Sequence, residues 1–216
     1  MNRRSHGYGL VLGLVIATTA LQLVVSSADG PRFLVIALQA ATLVAAVRTA
    51  GIRRAGVRLA AAAATLAVAA SLVTWIVQGE IPYGFAAVVG VLLVAVAPAV
   101  LAAGLYNDLR AQGRVALHTL TGVLAIYLLI GLLFAFSYGV VDAVDPGDLF
   151  ADRENSTPAD RAYFSFVTLS TVGYGDFSPA GAGARALAVA EMLIGQIYLV
   201  TIVSLIVANL GPRRRG

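Results

Sequence analysis

Six long stretches of the sequence contain no Asp, Glu, Lys or Arg apart from Glu191, and they constrain the fold more than any other feature. They cover residues 5–28, 33–47, 59–79, 81–107, 115–141 and 186–212. Because a helix rises about 1.5 Å per residue and a bilayer core is about 30 Å thick, about 20 apolar residues cross it. Only 12% of the residues are charged, about half the share found in soluble domains. The sequence therefore predicts an all-α membrane protein with six transmembrane helices, of which the second is the shortest.

The first stretch has two interpretations. Arg3 and Arg4 precede an apolar run that ends in small residues, as in a signal peptide. The run is longer than the apolar core of a typical signal peptide. This length favours the second interpretation, in which residues 1–28 are a retained helix.

The arginines predict the orientation of these helices. Cytoplasmic loops of membrane proteins carry an excess of basic residues. If the amino terminus is inside, 11 of the 15 arginines fall in cytoplasmic segments: Arg3, Arg4, Arg48, Arg53, Arg54, Arg58, Arg110, Arg114, Arg213, Arg214 and Arg215. We therefore expect a multi-pass protein of the cell membrane with both termini in the cytoplasm.

Composition argues against several partners and chemistries. The basic runs abut apolar segments and are not interleaved with aromatic residues, which favours membrane lipid over nucleic acid as a partner. The absence of Cys excludes disulfides, thiolate metal sites and cysteine nucleophiles. An intramembrane hydrolase would need a nucleophile beside a base, and His118 has no partner motif nearby. We expect no enzymatic activity.

Residues 142–185, between the last two stretches, are too polar to cross the bilayer but contain a short helix signal. Ser156 or Thr157 is suited to an N-cap, and Pro158 to the first helical position. The predicted helix over residues 158–169 is about 18 Å long, roughly half of a bilayer core. Such a half-helix enters the membrane and the chain must then return.

The returning chain has a backbone signal of its own. Gly173 and Gly175 prevent helical continuation, and irregular backbone at membrane depth must face protein or a wet cavity. A row of carbonyls pointing one way needs alternating left- and right-handed residues, and glycine adopts φ > 0 without steric cost. Gly173 and Gly175 occupy alternate positions.

Residues 168–176, Thr-Leu-Ser-Thr-Val-Gly-Tyr-Gly-Asp, resemble the signature of potassium channels. Six predicted spans with one re-entrant loop resemble the small prokaryotic members with six transmembrane helices and one pore loop. Gly195 follows Gly175 by 20 residues, where such channels commonly place a hinge glycine in the inner helix.

The resemblance implies a K⁺-selective channel formed by a homotetramer around a central axis. Its selectivity filter would be residues 171–175, in which carbonyl oxygens replace the hydration shell of K⁺. The filter residues implied are Thr171, Val172, Gly173, Tyr174 and Gly175. K⁺ is the permeant ion, and conduction is passive.

Four residues next to the filter are expected to support it: Asp176, Tyr163, Phe164 and Thr168. The family often has a pair of Trp residues where Tyr163 and Phe164 fall. The hydroxyl of Tyr163 is able to donate to the Asp176 carboxylate, whereas Phe164 has no donor for Tyr174.

Glu191 is the acid within a predicted span, and an intramembrane carboxylate is costly. We expect it to be protonated, to face water or to be hydrogen-bonded to the half-helix at Ser165 or Thr168. It is either a structural brace or a proton sensor, and the sequence favours the brace.

The chain divides into a four-helix domain over residues 1–107, a cytoplasmic linker over 108–114 and a pore domain over 115–216. Residues 81–107 contain no Arg or Lys, whereas steep voltage sensing takes about 3–4 charges per subunit. The channel is therefore not expected to be voltage-gated. The alternative is a K⁺ transporter subunit with a similar loop, although such transporters need several loops or repeated spans in one chain.

Overall fold

The computed structural model describes residues 3–24, 32–112, 117–145, 147–151 and 155–210. These residues form seven helices: α1 (Arg3–Val24), α2 (Arg32–Thr49), α3 (Arg54–Gln78), α4 (Tyr83–Gln112), α5 (Leu117–Val144), α6 (Pro158–Leu169) and α7 (Ala182–Leu210). All except α6 contain a segment long and apolar enough to cross a membrane. The prediction of an all-α membrane protein with six spanning helices is confirmed.

Helices α2 and α7 begin before the apolar stretches that predicted them. Helix α2 includes both flanking arginines and has 18 residues. The Arg32 guanidinium donates to the carbonyl oxygen of Ile81. Helix α7 begins at Ala182, four residues before the predicted start. Residues 25–28 and 211–212, predicted as ends of spans, lie outside the described residues.

Residues 108–112 were expected to begin a linker, but they are the last part of α4. Asp108 is buried there and accepts a hydrogen bond of 3.1 Å from the hydroxyl of Tyr8 on α1. A buried, hydrogen-bonded carboxylate keeps this turn inside the bundle, whereas the charge pattern alone suggested a solvated loop. Residues 113 and 114 of the expected linker are outside the described part of the chain.

Helix α5 lies at the centre of the described bundle and packs against α1, α4, α6 and α7. Its contact with α4 is close, because an added Cβ on Gly90 would lie 2.6 Å from Cδ1 of Phe136. From α1, Tyr8, Val11 and Val15 are fully buried in the same core. The amino-terminal helices and α5 therefore share one apolar core.

The spans differ strongly in how much of their surface the chain itself covers. In α5, 67% of the apolar segment that is able to cross the membrane is buried, compared with 11% in α3 and 17% in α7. Large apolar side chains on α7, such as Leu193 and Ile197, are exposed. In a membrane such surfaces face lipid or other protein chains.

Candidate functional site

The half-helix α6 is fixed at its outer end by a capping box. The Thr157 hydroxyl accepts from the Asp160 amide, the Asp160 carboxylate accepts from the Thr157 amide, and Pro158 occupies the first turn. These contacts satisfy amide groups that a helix start leaves without partners. The local sequence therefore determines where α6 begins, and α6 has the range expected for the half-helix.

Arg161 anchors the same end of α6 to its neighbours. Its side chain is only 2% exposed and donates to the Asp142 carboxylate of α5 at 2.9 Å. It also donates to the carbonyl of Ser156 at 2.8 Å and lies over the ring of Tyr83, 4.1 Å from its centre. A buried guanidinium needs such partners. Local sequence does not predict this group, since Tyr83 and Asp142 are far from Arg161 along the chain.

Glu191 on α7 links this helix to α5 and α6. Its Oε1 lies 2.5 Å from the Ser165 hydroxyl on α6, and its Oε2 accepts from the Tyr138 hydroxyl on α5 at 2.7 Å. The Ser165 hydroxyl is also 2.7 Å from the carbonyl oxygen of Gly131. Of the two expected contacts on the half-helix, the structure has the one to Ser165. Tyr138 was not anticipated, because an aromatic residue in an apolar helix gives no signal of its partner.

Gly195 lies where α7 meets the end of α6. An added Cβ on Gly195 would lie 2.5 Å from the carbonyl oxygen of Leu169 and 2.9 Å from Cδ1 of the same residue. Such distances leave no room for a larger side chain. Close packing thus explains why position 195 is a glycine, independently of the hinge expected from the family.

The chain after α6 returns in an alternating backbone conformation. Positive φ angles occur at Thr171 (60°), Gly173 (56°) and Gly175 (79°). The segment begins against α6, where the amide of Val172 donates to the carbonyl of Val167 at 3.0 Å. The alternation expected at the two glycines extends to Thr171. A β-branched residue in this conformation is costly, so the surrounding structure must hold it there.

The same segment is uncovered in the single chain. Residues 171–176 are all exposed, and Tyr174 is 71% exposed. Apart from each glycine and its two neighbours in the chain, no heavy atom of the described residues lies within 4 Å of a Cβ added to Gly173 or Gly175. One side of the segment therefore packs on α6 while the other faces open space.

Asp176 and Tyr163 are linked beside this segment. The Tyr163 hydroxyl donates to Oδ2 of Asp176 at 2.8 Å, and this hydrogen bond raises the pKa of Tyr163 above its ordinary value. The Tyr163 ring also stacks on Tyr174, with ring centres 6.4 Å apart and planes 8° from parallel. The three residues form one contact group at the end of the segment.

Phe164 and Thr168 have different surroundings. Phe164 is buried in an aromatic cluster, with ring centres 5.0 Å from Phe150 and 5.1 Å from Tyr138. Thr168 is buried, and its carbonyl accepts from the Thr171 amide at 3.0 Å. Thr168 thus contacts the returning segment, and Phe164 lies in the cluster that packs α6 on α5.

The sequence that forms this site is similar to those of known proteins. A family model described as "Ion channel" matches residues 122–211. Protein LctB of Bacillus caldotenax is 36% identical over 102 residues, which are 44% of this chain and 75% of that protein. This chain belongs to the ion channel family.

Other relatives in the ion channel family are longer. The inward rectifier potassium channel Kirbac3.1 of Paramagnetospirillum magnetotacticum is 33% identical over 104 residues, 48% of this chain and 33% of the relative. Two pore potassium channel c of Oryza sativa subsp. japonica is 37% identical over 82 residues, 38% of this chain and 16% of the relative. This chain therefore spans a third or less of these two relatives. No solved structure matches it significantly.

The matched residues begin within α5 and include α6, the returning segment and α7. The family predicted from residues 168–176 is thus confirmed, while helices α1 to α4 lie outside the match.

Proposed function

We propose that the protein is a K⁺-selective channel in which Thr171, Val172, Gly173, Tyr174 and Gly175 form the selectivity filter. The observation that carries this proposal is the alternation of positive φ at residues 171, 173 and 175. This alternation turns successive carbonyl groups towards one side, as a stack of oxygen ligands for a dehydrated cation requires. The names of the potassium channel relatives support K⁺ as the ion.

A homotetramer completes this proposal, because one loop offers oxygens from one side only. The uncovered face of residues 171–176 and the exposed apolar surface of α7 are both suited to contacts with further copies. A closed ring of identical chains around an axis satisfies both surfaces at once.

The residues around the filter have supporting roles in this proposal. Asp176 and Tyr163 stabilise the outer end, Thr168 supports the inner end through its carbonyl, and Phe164 packs α6 in place. Glu191 acts as a brace between α6 and α7. Gly195 permits the contact of α7 with α6, and bending there during gating is the family-based part of the proposal.

The remaining assignments concern the whole chain. We place the pore domain at residues 115–216 and a non-voltage-sensing four-helix domain at 1–107. Residues 108–114 join them, and the first five of these residues continue α4. We place the protein in the cell membrane with both termini cytoplasmic, since 11 of 15 arginines then face inwards. The channel conducts passively and catalyses no reaction.

Ion selectivity tests the proposal directly. The full chain is reconstituted in planar bilayers between K⁺ and Na⁺ solutions, and the reversal potential is measured. We expect a reversal potential close to the K⁺ equilibrium potential. Equal permeability for Na⁺ would contradict selectivity, and K⁺ flux that saturates and is coupled to a second ion would indicate the alternative, a transporter subunit.

A pair of glycine variants localises the selectivity. Gly173→Ala forces a side chain into a left-handed conformation, which costs about 1–2 kcal/mol, and should abolish K⁺ selectivity. Gly9→Ala, on α1 with open space around the added Cβ, should conduct as the unmodified protein does. Unchanged selectivity in Gly173→Ala would refute the assignment of the filter.

A further inference from the structure

Helices α1, α2 and α3 enclose a groove outside the segment matched by the ion channel family. Its volume is about 1120 Å³, slightly above the usual range of about 300–1,000 Å³ for ligand pockets in proteins. Most of its wall is apolar and includes Leu10, Leu14, Val44, Val68 and Leu72. Nothing in the proposed conduction pathway uses this groove.

One end of the groove carries positive charge. Arg48 lines this end together with His6, and its side chain is exposed. Within the described residues the Arg48 guanidinium makes no hydrogen bond or ion pair. Arg53, Arg54 and Arg58 follow at the turn into α3, and the sequences of α1, α2 and α3 contain no acidic residue. The charge at this end is therefore not balanced by these helices.

The charged end of the groove lies at the membrane surface, and its apolar wall lies deeper in the membrane. Arg48 is next to the end of the spanning segment Arg32–Thr49, and His6 is the first residue of His6–Val24. The charged end thus lies at the membrane surface. The wall on α3 runs inwards from Ala61 to Leu72, about 16 Å along the helix axis. A ligand that fits has an anionic group at the surface and an apolar chain below it.

We propose that this groove binds an anionic phospholipid, with its phosphate at Arg48 and one acyl chain between α1, α2 and α3. Basic pockets between transmembrane helices are suited to anionic headgroups, and each Arg near the surface contributes attraction. A zwitterionic lipid brings its own cation to an already positive end, so it binds less well. The bound chain would also cover part of α3, which the protein itself buries little.

Native mass spectrometry of the full chain, purified in detergent, tests the headgroup. Palmitoyl-oleoyl phosphatidylglycerol and phosphatidylcholine are added separately, and the bound fraction is measured. We expect stronger retention of phosphatidylglycerol and an affinity about fivefold lower in Arg48→Gln. Arg110→Gln is the charge control, because Arg110 lies on α4 near Tyr106 and does not line the groove. Equal retention of the two lipids, or equal losses in the two variants, would overturn the proposal.

Two adjacent alanines on α3 test the acyl chain. Ala69 lines the groove, whereas Ala70 does not, and both are exposed. Ala69→Phe should fill the groove and reduce phosphatidylglycerol retention, and Ala70→Phe should not. If Ala69→Phe instead weakens subunit assembly and leaves lipid retention unchanged, a second copy covers the groove and the lipid proposal is wrong. Neither result depends on ion conduction, so failure here is distinct from failure of the channel proposal.

Discussion

Glu191 shows how much a single polar side chain contributes inside an apolar bundle. Its carboxyl group is completely buried and contacts the hydroxyls of Ser165 and Tyr138, which lie on two other helices. A buried polar group without partners is costly, so loss of one member penalises the others. The residue therefore holds α5, α6 and α7 in a common arrangement.

Replacement of Glu191 should separate a brace from a proton sensor. Glu191→Ala leaves Tyr138 without its partner and should lower the free energy of unfolding by about 1–3 kcal/mol. Glu191→Gln keeps the size and an acceptor oxygen and should lose less. Thermal unfolding of the purified protein measures both.

Channel recordings at several pH values complete this comparison. For a brace, the pH dependence of opening is the same in the unmodified protein and in Glu191→Gln. If Glu191→Gln removes a pH dependence that the unmodified protein has, Glu191 is a sensor.

The hydrogen bond between Tyr163 and Asp176 provides a second prediction at this scale. Tyr163→Phe removes the donor but keeps the ring that stacks on Tyr174, so the filter should lose rigidity without losing its shape. We expect the K⁺/Na⁺ permeability ratio to fall by less than about tenfold.

A double-mutant cycle identifies the pair responsible. Tyr163→Phe combined with Asp176→Ala should reduce the permeability ratio no more than Asp176→Ala alone, because each change removes the same hydrogen bond. Additive losses would show that the two residues act independently.

At the scale of elements, α6 is held at its start, its middle and its end by different contacts. Its capping box and Arg161 fix the start, Ser165 and Glu191 fix the middle, and Gly195 lets α7 approach the end. A half-helix of 12 residues is too short to be stable alone. Its neighbours therefore determine how precisely the returning segment is positioned.

Two glycines of α7 test the approach of α7 to α6. Gly195→Ala places a Cβ 2.5 Å from the Leu169 carbonyl oxygen and should cost about 1–3 kcal/mol of stability. Gly183→Ala is the matched control, because its Cβ would lie 3.6 Å from Val141, an ordinary contact. It should be neutral or stabilising by up to about 1 kcal/mol, since alanine favours helix. Thermal unfolding compares the two variants.

If Gly195 acts only as a hinge, the expected result is different. In that case Gly195→Ala changes the open probability and leaves the unfolding temperature unaltered. A close packing contact without a hinge gives the reverse, a lower unfolding temperature with unchanged opening of the folded channels.

At the scale of the whole molecule, the exposed surfaces indicate which faces have partners. Helices α3 and α7 are both largely uncovered, but of these two only α7 packs against α6, which the returning segment follows. In the proposed assembly α7 therefore faces other copies, while α3 faces lipid.

The assembly should have about four times the mass of the 22.2 kDa chain. It should also be more heat-stable in K⁺ than in Na⁺, because an ion that binds the native assembly stabilises it, by about 2.7 kcal/mol at 100 times its dissociation constant. Mass measurement in detergent and thermal unfolding in the two salts test this. A monomeric mass would contradict the proposal.

Matched isoleucines locate the subunit contacts. Ile197 on α7 and Ile76 on α3 have similar exposure, 63% and 68%. Ile197→Ala should weaken the assembly, whereas Ile76→Ala should not, because lipid replaces the lost contacts. Equal effects would show that α7 is not the face between copies.

Features that depend on local pattern can be predicted from the sequence alone. Apolar runs longer than the bilayer core specify the spanning helices, Thr157 and Pro158 specify where α6 begins, and the spacing of Gly173 and Gly175 indicates an alternating backbone. These signals lie within a few residues of one another, so they can be read along the chain.

Which distant side chains meet depends on the tertiary structure. Glu191 is 26 residues from Ser165 and 53 from Tyr138, and no periodicity in the sequence relates them. The helical end of α4 near Asp108, the packing role of Gly195 and the lipid-sized groove likewise depend on how helices are placed side by side. That placement results from the packing of many apolar side chains at once, and local sequence does not encode it in a form that can be read residue by residue.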